Sequence, residues 1–269
     1  MSNICMATPV RDFSMYAKCI SENKALTFCR KVPMDNRHRN ETIPVLYNRF
    51  IDSGDYGDTD WLVFCHEDFQ PLQSFEDTIA SLDSDSIYGP IGSCLVHSNS
   101  HFVPGGLWTT RVLGEIDESN KDGSGLHVFG EKVALGSAVE TLDCQCLIVN
   151  ASLVQKHHLR FDENLTFDLY AEDFCANAFL AHGIQSRIFP FECRHWSGGT
   201  FAPRFFKQRD YLHKKYPRAE FASPTGYTIG AGRTRMRRMQ LRTRRFLDNR
   251  MPFLVKILFK ISGLVAQPS

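Results

Sequence analysis

The sequence predicts an α/β domain with a mostly parallel central sheet, followed by a basic, partly helical extension. Apolar runs of strand length alternate with helical periodicity over the first 100 residues, as in domains built from strand–helix–strand units. Residues 61–65 are apolar throughout, which is typical of parallel strands buried on both faces. Residues 1–199 hold 15 Lys/Arg against 27 Asp/Glu, whereas residues 200–269 hold 16 against 3. We therefore expect a domain over residues 1–200 and an extension over residues 201–269.

Local patterns place the elements along the chain. Apolar runs bounded by turn signals predict strands at residues 4–10, 25–29, 61–65, 142–149 and 186–191. Apolar residues spaced by three and four predict helices at residues 13–23, 42–52, 152–157 and 172–183. Residues 98–140 are rich in Gly, Ser and His with weak periodicity, so we expect long loops and short edge strands there.

The composition excludes several classes of protein. With 43% hydrophobic and 23% charged residues, the chain can build a core and is not disordered, collagen-like or coiled-coil. Nine cysteines include one close pair, Cys144 and Cys146, so neither a disulfide framework nor a zinc knuckle is expected. The sequence shows no signal-peptide pattern and no apolar run long enough to span a membrane, so we expect a cytoplasmic protein.

The first candidate for chemistry is His66-Glu67-Asp68, which directly follows the predicted strand at residues 61–65. Ligands of open α/β sheets bind beyond the carboxyl ends of the strands, where this triplet lies. Residues 50–110 contain ten acidic side chains and no Lys or Arg, which favours a cation site over direct binding of an anion. Carboxylates so placed bind Mg²⁺ or Mn²⁺ and leave positions for phosphate oxygens, although the triplet also fits a solvated polar turn.

Two further candidates lie in the second half of the domain. Glu172 and Asp173 open a predicted helix, where a carboxylate could act as general base toward a substrate hydroxyl. Acidic residues in a first helical turn also stabilise the helix dipole without any further function. His195 precedes Trp196 and a Gly-Gly pair, which combines an imidazole ligand with backbone that can approach a phosphate. A structural histidine is the alternative interpretation there.

Two stretches of the chain share their motif order with a known family. Residues 45–72, VLYNRFIDSGDYGDTDWLVFCHEDFQPL, combine a predicted helix, a buried strand and an HxD motif. Residues 142–199 combine a strand, an FDE turn, a helix that opens with Glu-Asp, a last strand and a histidine before glycines. In this order they resemble the family 2-like glycosyltransferases with the GT-A fold, in a subgroup with HxD in place of the DXD-type motif. The resemblance covers roughly residues 4–199.

The resemblance implies the Rossmann-like GT-A fold, a nucleotide-sugar donor, a divalent metal such as Mn²⁺ or Mg²⁺, and usually inversion at the anomeric carbon. It implies that Asp68 binds the metal, with His66 at the position of the family's first aspartate. His195 matches the family's late histidine, near the metal and the diphosphate. Asp173 is implied as the catalytic base and Glu172 as its helix-capping neighbour.

The resemblance also implies residues for the nucleotide, and the aromatic residues of the chain suggest residues for the sugar. The segments that follow the first two strands, together with the middle residue of the HxD motif, would bind the nucleotide: Thr8, Pro9, Arg11, Asp35, Asn36 and Glu67. Two tryptophans are the candidates for stacking on a sugar ring: Trp108, in an aromatic segment at residues 99–110, and Trp196. An aromatic residue on such a loop is as often a cover over the edge of the core.

The C-terminal extension is strongly basic and then apolar. Residues 233–250 contain eight arginines and one acid, and the following apolar segment carries only two charges, Lys256 and Lys260. If that segment is helical, its polar residues form one narrow stripe. The pattern predicts that residues 233–269 attach to an anionic membrane surface, peripherally on its inner face. A helix docked on the acidic domain or a dimer contact stays open as an alternative, and nucleic acid is not expected.

The sequence therefore predicts a hexosyltransferase-like glycosyltransferase that uses a glycan or lipid-linked acceptor in polysaccharide or glycolipid assembly. Glycosyl transfer needs a cation to neutralise the diphosphate leaving group and a base for the acceptor hydroxyl. One alternative is a nucleotidyltransferase that makes activated sugars, which would normally have a Gly-rich basic loop after the first strand. The other is a non-catalytic nucleotide-binding or sugar-binding module with a decayed metal site.

Overall fold

The chain forms two compact units. The computed structural model describes residues 3–98, 107–197 and 201–250. The first unit comprises Met1–Val96, Thr109–Gly198 and Phe221–Thr228, and the second comprises His97–Trp108, Gly199–Glu220 and Ile229–Ser269. Most of the expected aromatic loop, the Gly-Gly pair after Ser197 and the apolar segment at residues 251–269 lie outside the described residues.

A seven-stranded mixed sheet belongs to the first unit. Its strands, labelled in chain order, are arranged as β2 (Cys29–Asp35), β1 (Ile4–Val10), β3 (Trp61–Cys65), β11 (Cys146–Asn150), β5 (Ser86–Gly89), β12 (Gln185–Ile188) and β9 (Ala138–Val139). Five strands run in one direction, and β11 and β9 run against them. Only three of the six pairings are parallel, because β11 inserts between β3 and β5 without a crossover helix. The mixed α/β class is confirmed, whereas the mostly parallel sheet is not.

A second sheet holds the other strands that matter for the site. Its order is β10 (Thr141–Leu142), β6 (Gly92–Ser98), β7 (Leu107–Ser119), β13 (Cys193–Trp196) and β4 (Phe69–Pro71), with β8 (His127–Glu131) paired to β7. The prediction of long loops and short edge strands at residues 98–140 was wrong for β7, which is 13 residues long, whereas β9 is a two-residue edge strand, as expected. Gly114 and Glu118 interrupt the apolar alternation by which such a strand is recognised.

Strand β7 bends at Gly114, where its pairing with β8 shifts register. Gly114 has a φ of +87°, and a Cβ at this position would lie 1.9 Å from the carbonyl oxygen of Pro90. Glycine is therefore required at this bulge, both for its backbone angle and because the backbone at Pro90 approaches closely. Beyond the bend, Glu118 comes into register with His195 of β13.

The helices of the first unit are short. They are α1 (Phe13–Tyr16), α2 (Ile43–Ser53), α3 (Glu76–Ile79), α4 (Ala151–His157) and α5 (Tyr170–His182). Helix α1 continues as a π-helical stretch at Ala17–Ser21, and a 3-10 turn at Lys24–Leu26 precedes β2. The strand predicted at residues 25–29 was wrong, because the Asn23 side chain caps the amide of Ala25 and starts this turn. Strand β2 follows instead, with partly exposed residues typical of a sheet edge.

An aromatic cluster joins α2, β3 and α5 and fixes the start of α5. Tyr47 lies at the centre of this cluster, with ring centroids 4.9 Å from Phe64, 5.1 Å from Phe161 and 5.9 Å from Tyr170. All four side chains are buried, and such ring contacts add to the stability gained by burying apolar surface. The position of Tyr170 is thus set by the core rather than by solvent-exposed loops.

The second unit contains α6 (Pro203–Lys215) and α7 (Arg235–Arg250). Two-residue strands, β14 (Phe221–Ala222) and β15 (Thr228–Ile229), lie along the chain between these helices. Within the unit, the guanidinium of Arg237 on α7 donates to the buried carboxylate of Glu220, with a shortest distance of 2.7 Å. In the part of the chain that the structure describes, no helix is both long enough and apolar enough to cross a membrane.

Candidate active site

The HxD motif lies in a tight turn at the end of β3. The backbone amide of Phe69 donates to the carbonyl of His66 at 3.2 Å, which closes the turn and begins β4. Strand β13 pairs antiparallel with β4, so that His195 is opposite Phe69 and the amide of Trp196 donates to the carbonyl of Asp68 at 3.0 Å. Sheet register therefore brings His195 beside a motif that is 127 positions away in the sequence.

His66, Asp68 and His195 form a compact group that we call the metal cluster. Asp68 Oδ1 lies 3.5 Å from His195 Nε2 and 3.9 Å from His66 Nδ1. One potential ligand atom from each residue falls within 4.8 Å of the other two. Asp68 Oδ1 is buried without a hydrogen-bond partner, and two imidazoles with one carboxylate are a common donor set for divalent cations. The residues fit the divalent metal that the sequence predicts.

Hydrogen bonding selects the tautomer of His66. The Tyr170 hydroxyl donates to the carbonyl of Cys144 at 2.8 Å, so its oxygen accepts the proton of His66 Nε2 at 2.7 Å. This assignment leaves the Nδ1 lone pair directed toward Asp68. Burial lowers the pKa of His66 to about 4, with Asp68 opposing and His195 reinforcing that shift. The ring is therefore neutral, as a metal ligand must be.

Asp68 and His195 form a buried charge pair. Burial by itself would raise the pKa of Asp68, but His195 and His66 lower it to about 2. Burial would likewise lower the pKa of His195, but Asp68 and then Glu118 raise it to about 10. A proton on His195 thus provides the positive charge that the carboxylates require. A divalent cation supplies the same charge when it replaces that proton.

Glu118 is a site residue that the sequence analysis missed. Its Oε1 lies 3.7 Å from His195 Nδ1 and accepts a hydrogen bond from Gln145 Nε2 at 3.4 Å, while its Oε2 lies 3.8 Å from His127 Nε2. The carboxylate thus faces the side of the His195 ring opposite Asp68. A carboxylate in this place orients a histidine and raises its basicity toward a metal. Recognition of strand β7 in the sequence would have been the signal that Glu118 lies in a strand of this sheet.

Asp143 is a second residue that the sequence analysis missed. It lies just before β11, is partly exposed, and accepts the backbone amide of Gln145 at 3.0 Å. Burial raises the pKa of the Asp143 carboxyl, and His195 opposes this shift. Asp143 in turn contributes to the raised pKa of Glu172. Its charge therefore acts both on His195 of the metal cluster and on Glu172 of helix α5.

The predicted Glu172 and Asp173 lie in the first turn of α5, as expected, but both are only 1% exposed. Glu172 Oε1 accepts the hydroxyl proton of Ser223 at 2.7 Å, and burial followed by Asp143 raises the pKa of Glu172 to about 8. Glu172 is thus bound within the first unit by Ser223, and its place in the catalytic site stays a prediction. Asp173 follows Tyr170 by three positions on the helix that contacts His66, and its role as a base stays a prediction.

The residues predicted to bind the nucleotide are largely engaged by the protein itself. Thr8 is buried, with its hydroxyl 3.2 Å from Cys65 Sγ, and Pro9 is buried within β1 opposite Met34 of β2. The Glu67 carboxylate accepts the amides of Arg11 and Asp12 at 2.6 and 2.9 Å.

The same holds at the end of β2. The Asn36 side chain exchanges two hydrogen bonds of 2.9 Å with the backbone of Glu41. Asp35 accepts from Arg37 in an exposed pair, which lowers the pKa of the Asp35 carboxyl to about 2. Of this predicted set, the side chain of Arg11 stays exposed to solvent.

The two candidate tryptophans lie in different units. Trp196 is 8% exposed, donates from Nε1 to Gln70 Oε1 at 3.0 Å, and has the Lys18 ammonium 3.2 Å from its ring centroid. The position of Lys18 leaves little room for a sugar on that face of the ring. Trp108 is half-buried in the second unit, with its ring centroid 4.6 Å from that of His97.

Comparisons with known proteins give weak likenesses. No protein-family model matches the sequence, and no curated protein matches it. Among solved structures, the chain is similar to A197 from STIV, with 13% identity, a TM-score of 0.38 and coverage of 84% of this chain and 93% of that one. It is also similar to two glycosyltransferases, TarS of S. aureus and GalNAc-T7.

TarS shares 11% identity at a TM-score of 0.39, with coverage of 79% of this chain and 39% of that one. GalNAc-T7, solved with UDP, GalNAc and Mn²⁺, shares 6% identity at a TM-score of 0.45, with coverage of 79% and 47%. The chain thus spans less than half of either protein. Such low values do not transfer a function, so the function has to be argued from the site.

Proposed function

We propose that this protein is a metal-dependent glycosyltransferase that moves a sugar from a nucleotide-diphospho-sugar to an acceptor hydroxyl. The observation that carries the proposal is the metal cluster. His66, Asp68 and His195 converge at the end of a buried strand, and the buried Asp68 Oδ1 atom accepts no hydrogen bond. The order of sequence motifs around these residues, which resembles family 2-like glycosyltransferases, supports the same activity.

Each residue of the metal cluster has a distinct task. Asp68 supplies the anionic ligand. His66 offers Nδ1, because its ring proton is on Nε2, where the Tyr170 oxygen accepts it. His195 offers Nε2, while Glu118 faces its Nδ1. A bound divalent cation would neutralise the charge that develops on the diphosphate leaving group. Two imidazoles among three donors favour Mn²⁺ over Mg²⁺, because Mg²⁺ prefers oxygen ligands.

The remaining charges of the site suit a diphosphate and an acceptor. Lys121, in the turn between β7 and β8, is the last and smallest of the causes that lower the pKa values of Asp68 and Asp12, so its positive charge acts on both carboxylates. A cation there would attract the diphosphate electrostatically. For the base we retain Asp173, whose carboxylate would accept the proton of the acceptor hydroxyl as the new glycosidic bond forms. When the acceptor oxygen attacks the anomeric carbon opposite the departing diphosphate, the glycosidic bond to the diphosphate breaks and the configuration at that carbon inverts.

For the acceptor we propose a glycan or a lipid-linked glycan. The basic and apolar sequence of residues 233–269 supports a position on an anionic membrane surface, where lipid-linked acceptors are found. Peripheral attachment would raise the local concentration of such an acceptor. Thin-layer or mass analysis of the product formed on vesicles, with and without residues 233–269, tests this part of the proposal.

The two alternatives differ from the proposal in what they require. A nucleotidyltransferase needs free backbone amides after the first strand to hold phosphates, but the Glu67 carboxylate already occupies the amides of Arg11 and Asp12. This observation disfavours that alternative. A non-catalytic binding module would bind nucleotide without transferring sugar, so turnover separates it from the proposal.

The experiment that tests the proposal is calorimetric binding of UDP, GDP, CDP and ADP, each with Mn²⁺ and with a chelator. We expect Mn²⁺-dependent binding of one nucleotide, lost in Asp68→Asn and retained in Asp77→Asn, which removes an equal charge from the exposed first turn of α3. The matching nucleotide-sugars are then assayed for transfer or hydrolysis by ³¹P NMR. Nucleotide binding that is unchanged by the chelator and by Asp68→Asn contradicts the metal cluster. Nucleotide binding without turnover favours the non-catalytic module.

A further inference from the structure

The second unit contains a basic cavity that the proposed transfer reaction does not use. The cavity has a volume of about 330 Å³ and lies between the last turn of α6 and the first half of α7. Its polar wall is formed by His213, Lys214, Arg238 and Arg242, and no acidic residue lines it. The cavity is large enough to hold a phosphate group together with part of the molecule that carries it.

The cations at this cavity are not neutralised by neighbouring acids. Lys214 and Arg242 are exposed, and neither forms an ion pair with any described residue. Arg238 donates to the carbonyl oxygen of Gly232 at 3.3 Å, which is a neutral acceptor. The buried carboxylate of Glu220 is already paired with Arg237. The sequence over this unit has 16 Lys/Arg against 3 Asp/Glu, so the unit attracts anionic ligands.

The chemistry of these groups suits a phosphate. A guanidinium presents several N–H donors in a planar fork, and an ammonium adds a compact charge, so the two together match the several oxygens of a terminal phosphate. The lining also has apolar surface, with contributions from Pro217 and from Leu241, which is 6% exposed. The ligand should therefore carry apolar groups next to its phosphate.

Helix α7 exposes an apolar stripe beside the cavity. Met236, Met239 and Phe246 are 44%, 59% and 61% exposed and lie on one face of the helix, at spacings of three and seven. Arg242 lies three positions after Met239 and four before Phe246, on the flank of this stripe that faces the cavity. The sequence after α7, residues 251–269, is predominantly apolar. Exposed apolar side chains next to unpaired cations are typical of helices at a membrane interface.

We propose that this cavity binds the phosphate headgroup of a membrane lipid, with the lipid chains lying along the stripe of Met236, Met239 and Phe246. The phosphate contacts Lys214, Arg238 and Arg242, and the glycerol region lies against Pro217 and Leu241. Lipids with a terminal phosphate monoester bind better than phosphodiester lipids, because a monoester offers more charge and more acceptor oxygens to the fork of donors. The proposal concerns lipid binding and is independent of the transferase activity.

The test compares two double variants of the full chain in vesicle sedimentation. Lys214→Gln with Arg242→Gln removes two charges from the cavity, and Arg218→Gln with Arg235→Gln removes two exposed charges of the same unit that do not line it. The vesicles contain phosphatidylcholine alone, with phosphatidylglycerol, or with phosphatidic acid at equal surface charge. We expect the cavity variant to lose about tenfold or more of the binding to phosphatidic acid, and the control to lose far less.

Three further results decide the proposal. Restoration of binding by Lys214→Arg with Arg242→Lys supports it, since charge and hydrogen-bond donors return, and unchanged circular dichroism confirms that the variants fold. Equal losses in both double variants overturn it, because the attraction then comes from diffuse charge. The wild-type protein could instead fail to bind vesicles but bind glycerol 3-phosphate in solution. If the cavity variant then does not bind glycerol 3-phosphate, the cavity accepts a soluble phosphate and the lipid assignment is wrong.

Discussion

Two regions of the first unit hold the polar residues that the sequence predicts to bind ligands, and they differ in how those polar groups are satisfied. At the ends of β1 and β2, Asn36 and Glu67 make paired hydrogen bonds of 2.6 to 2.9 Å to nearby backbone. In the metal cluster, Asp68 Oδ1 and His195 Nδ1 are buried and form no hydrogen bond, and their charged neighbours are His195 Nε2 at 3.5 Å and Glu118 Oε1 at 3.7 Å. Buried polar atoms are costly unless they are paired, so the side chains of the first region are held by the protein itself, whereas those of the second fit the metal ligand that we propose.

The largest expected effect is the loss of metal binding in Asp68→Asn. The variant loses the anionic ligand, and we expect Mn²⁺ affinity to fall by more than about a hundredfold. Electron paramagnetic resonance of free Mn²⁺ measures this directly. The matched control is Asp35→Asn, whose carboxylate pairs with Arg37 at the surface and should leave Mn²⁺ affinity unchanged. Equal losses in both variants would mean that the two regions do not differ in the way described.

Glu172 tests whether an unpaired buried oxygen always indicates a ligand. Its Oε2 lacks a hydrogen-bond partner, but burial raises the pKa of the carboxyl to about 8, so the folded protein keeps it protonated at neutral pH. The unfolded chain releases this proton near its ordinary pKa, about 4.3. The stabilising contribution is therefore complete at low pH, falls as the pH rises through the range between these values, and stops changing above about 8.

We expect the free energy of unfolding of the wild type to fall, relative to that of Glu172→Gln, by on the order of 3 kcal/mol between pH 5 and pH 8. The amide of glutamine does not ionise and can still accept the Ser223 hydroxyl. Denaturant titrations at several pH values measure the difference, with Glu115→Gln on the exposed face of β7 as the control. Parallel pH profiles for the wild type and Glu172→Gln would show that Glu172 ionises normally in the folded state.

Glu118→Gln should weaken the metal cluster without removing a ligand. Its carboxylate faces His195 Nδ1 at 3.7 Å, and loss of such an orienting partner typically costs 10- to 100-fold in metal affinity. Mn²⁺ titration of the variant measures the loss, and Glu115→Gln provides the same substitution on the same strand, three residues away and exposed. A further variant, Glu118→Asp, keeps the charge and should recover part of the affinity. Unchanged affinity in Glu118→Gln would remove Glu118 from the site.

The smallest expected effect comes from Asn36→Ala at the ends of β1 and β2. The substitution removes both hydrogen bonds to the Glu41 backbone and should cost about 1 to 3 kcal/mol of unfolding free energy. Mn²⁺ affinity should not change, because Asn36 belongs to the region whose side chains are held by the protein itself. A guanidinium titration and an Mn²⁺ titration of the same sample give both values. A drop in metal affinity without a loss of stability would reverse the assignment of the two regions.

The sequence by itself determined the mixed α/β class, the buried strand at residues 61–65, and the position of the HxD motif directly after it. It also determined the excess of positive charge after residue 200. These features follow from local composition and periodicity, which a sequence carries residue by residue. The expected strand at residues 25–29 was wrong because the Asn23 side chain caps a helical turn within this apolar run. A single capping hydrogen bond is local, but it leaves little trace in the hydrophobic pattern of the sequence.

Only the tertiary structure decided which polar residues meet. His195 reaches Asp68 because β13 pairs with β4, and Glu118 reaches His195 because β7, beyond its bulge at Gly114, pairs with β13. The tautomer of His66 depends on Tyr170, which an aromatic cluster holds in place. Sheet register joins residues that are distant in sequence, and composition or periodicity does not encode it. For the same reason, the sequence could not distinguish Asn36, whose side chain exchanges two hydrogen bonds with the Glu41 backbone, from Asp68, whose buried Oδ1 accepts none.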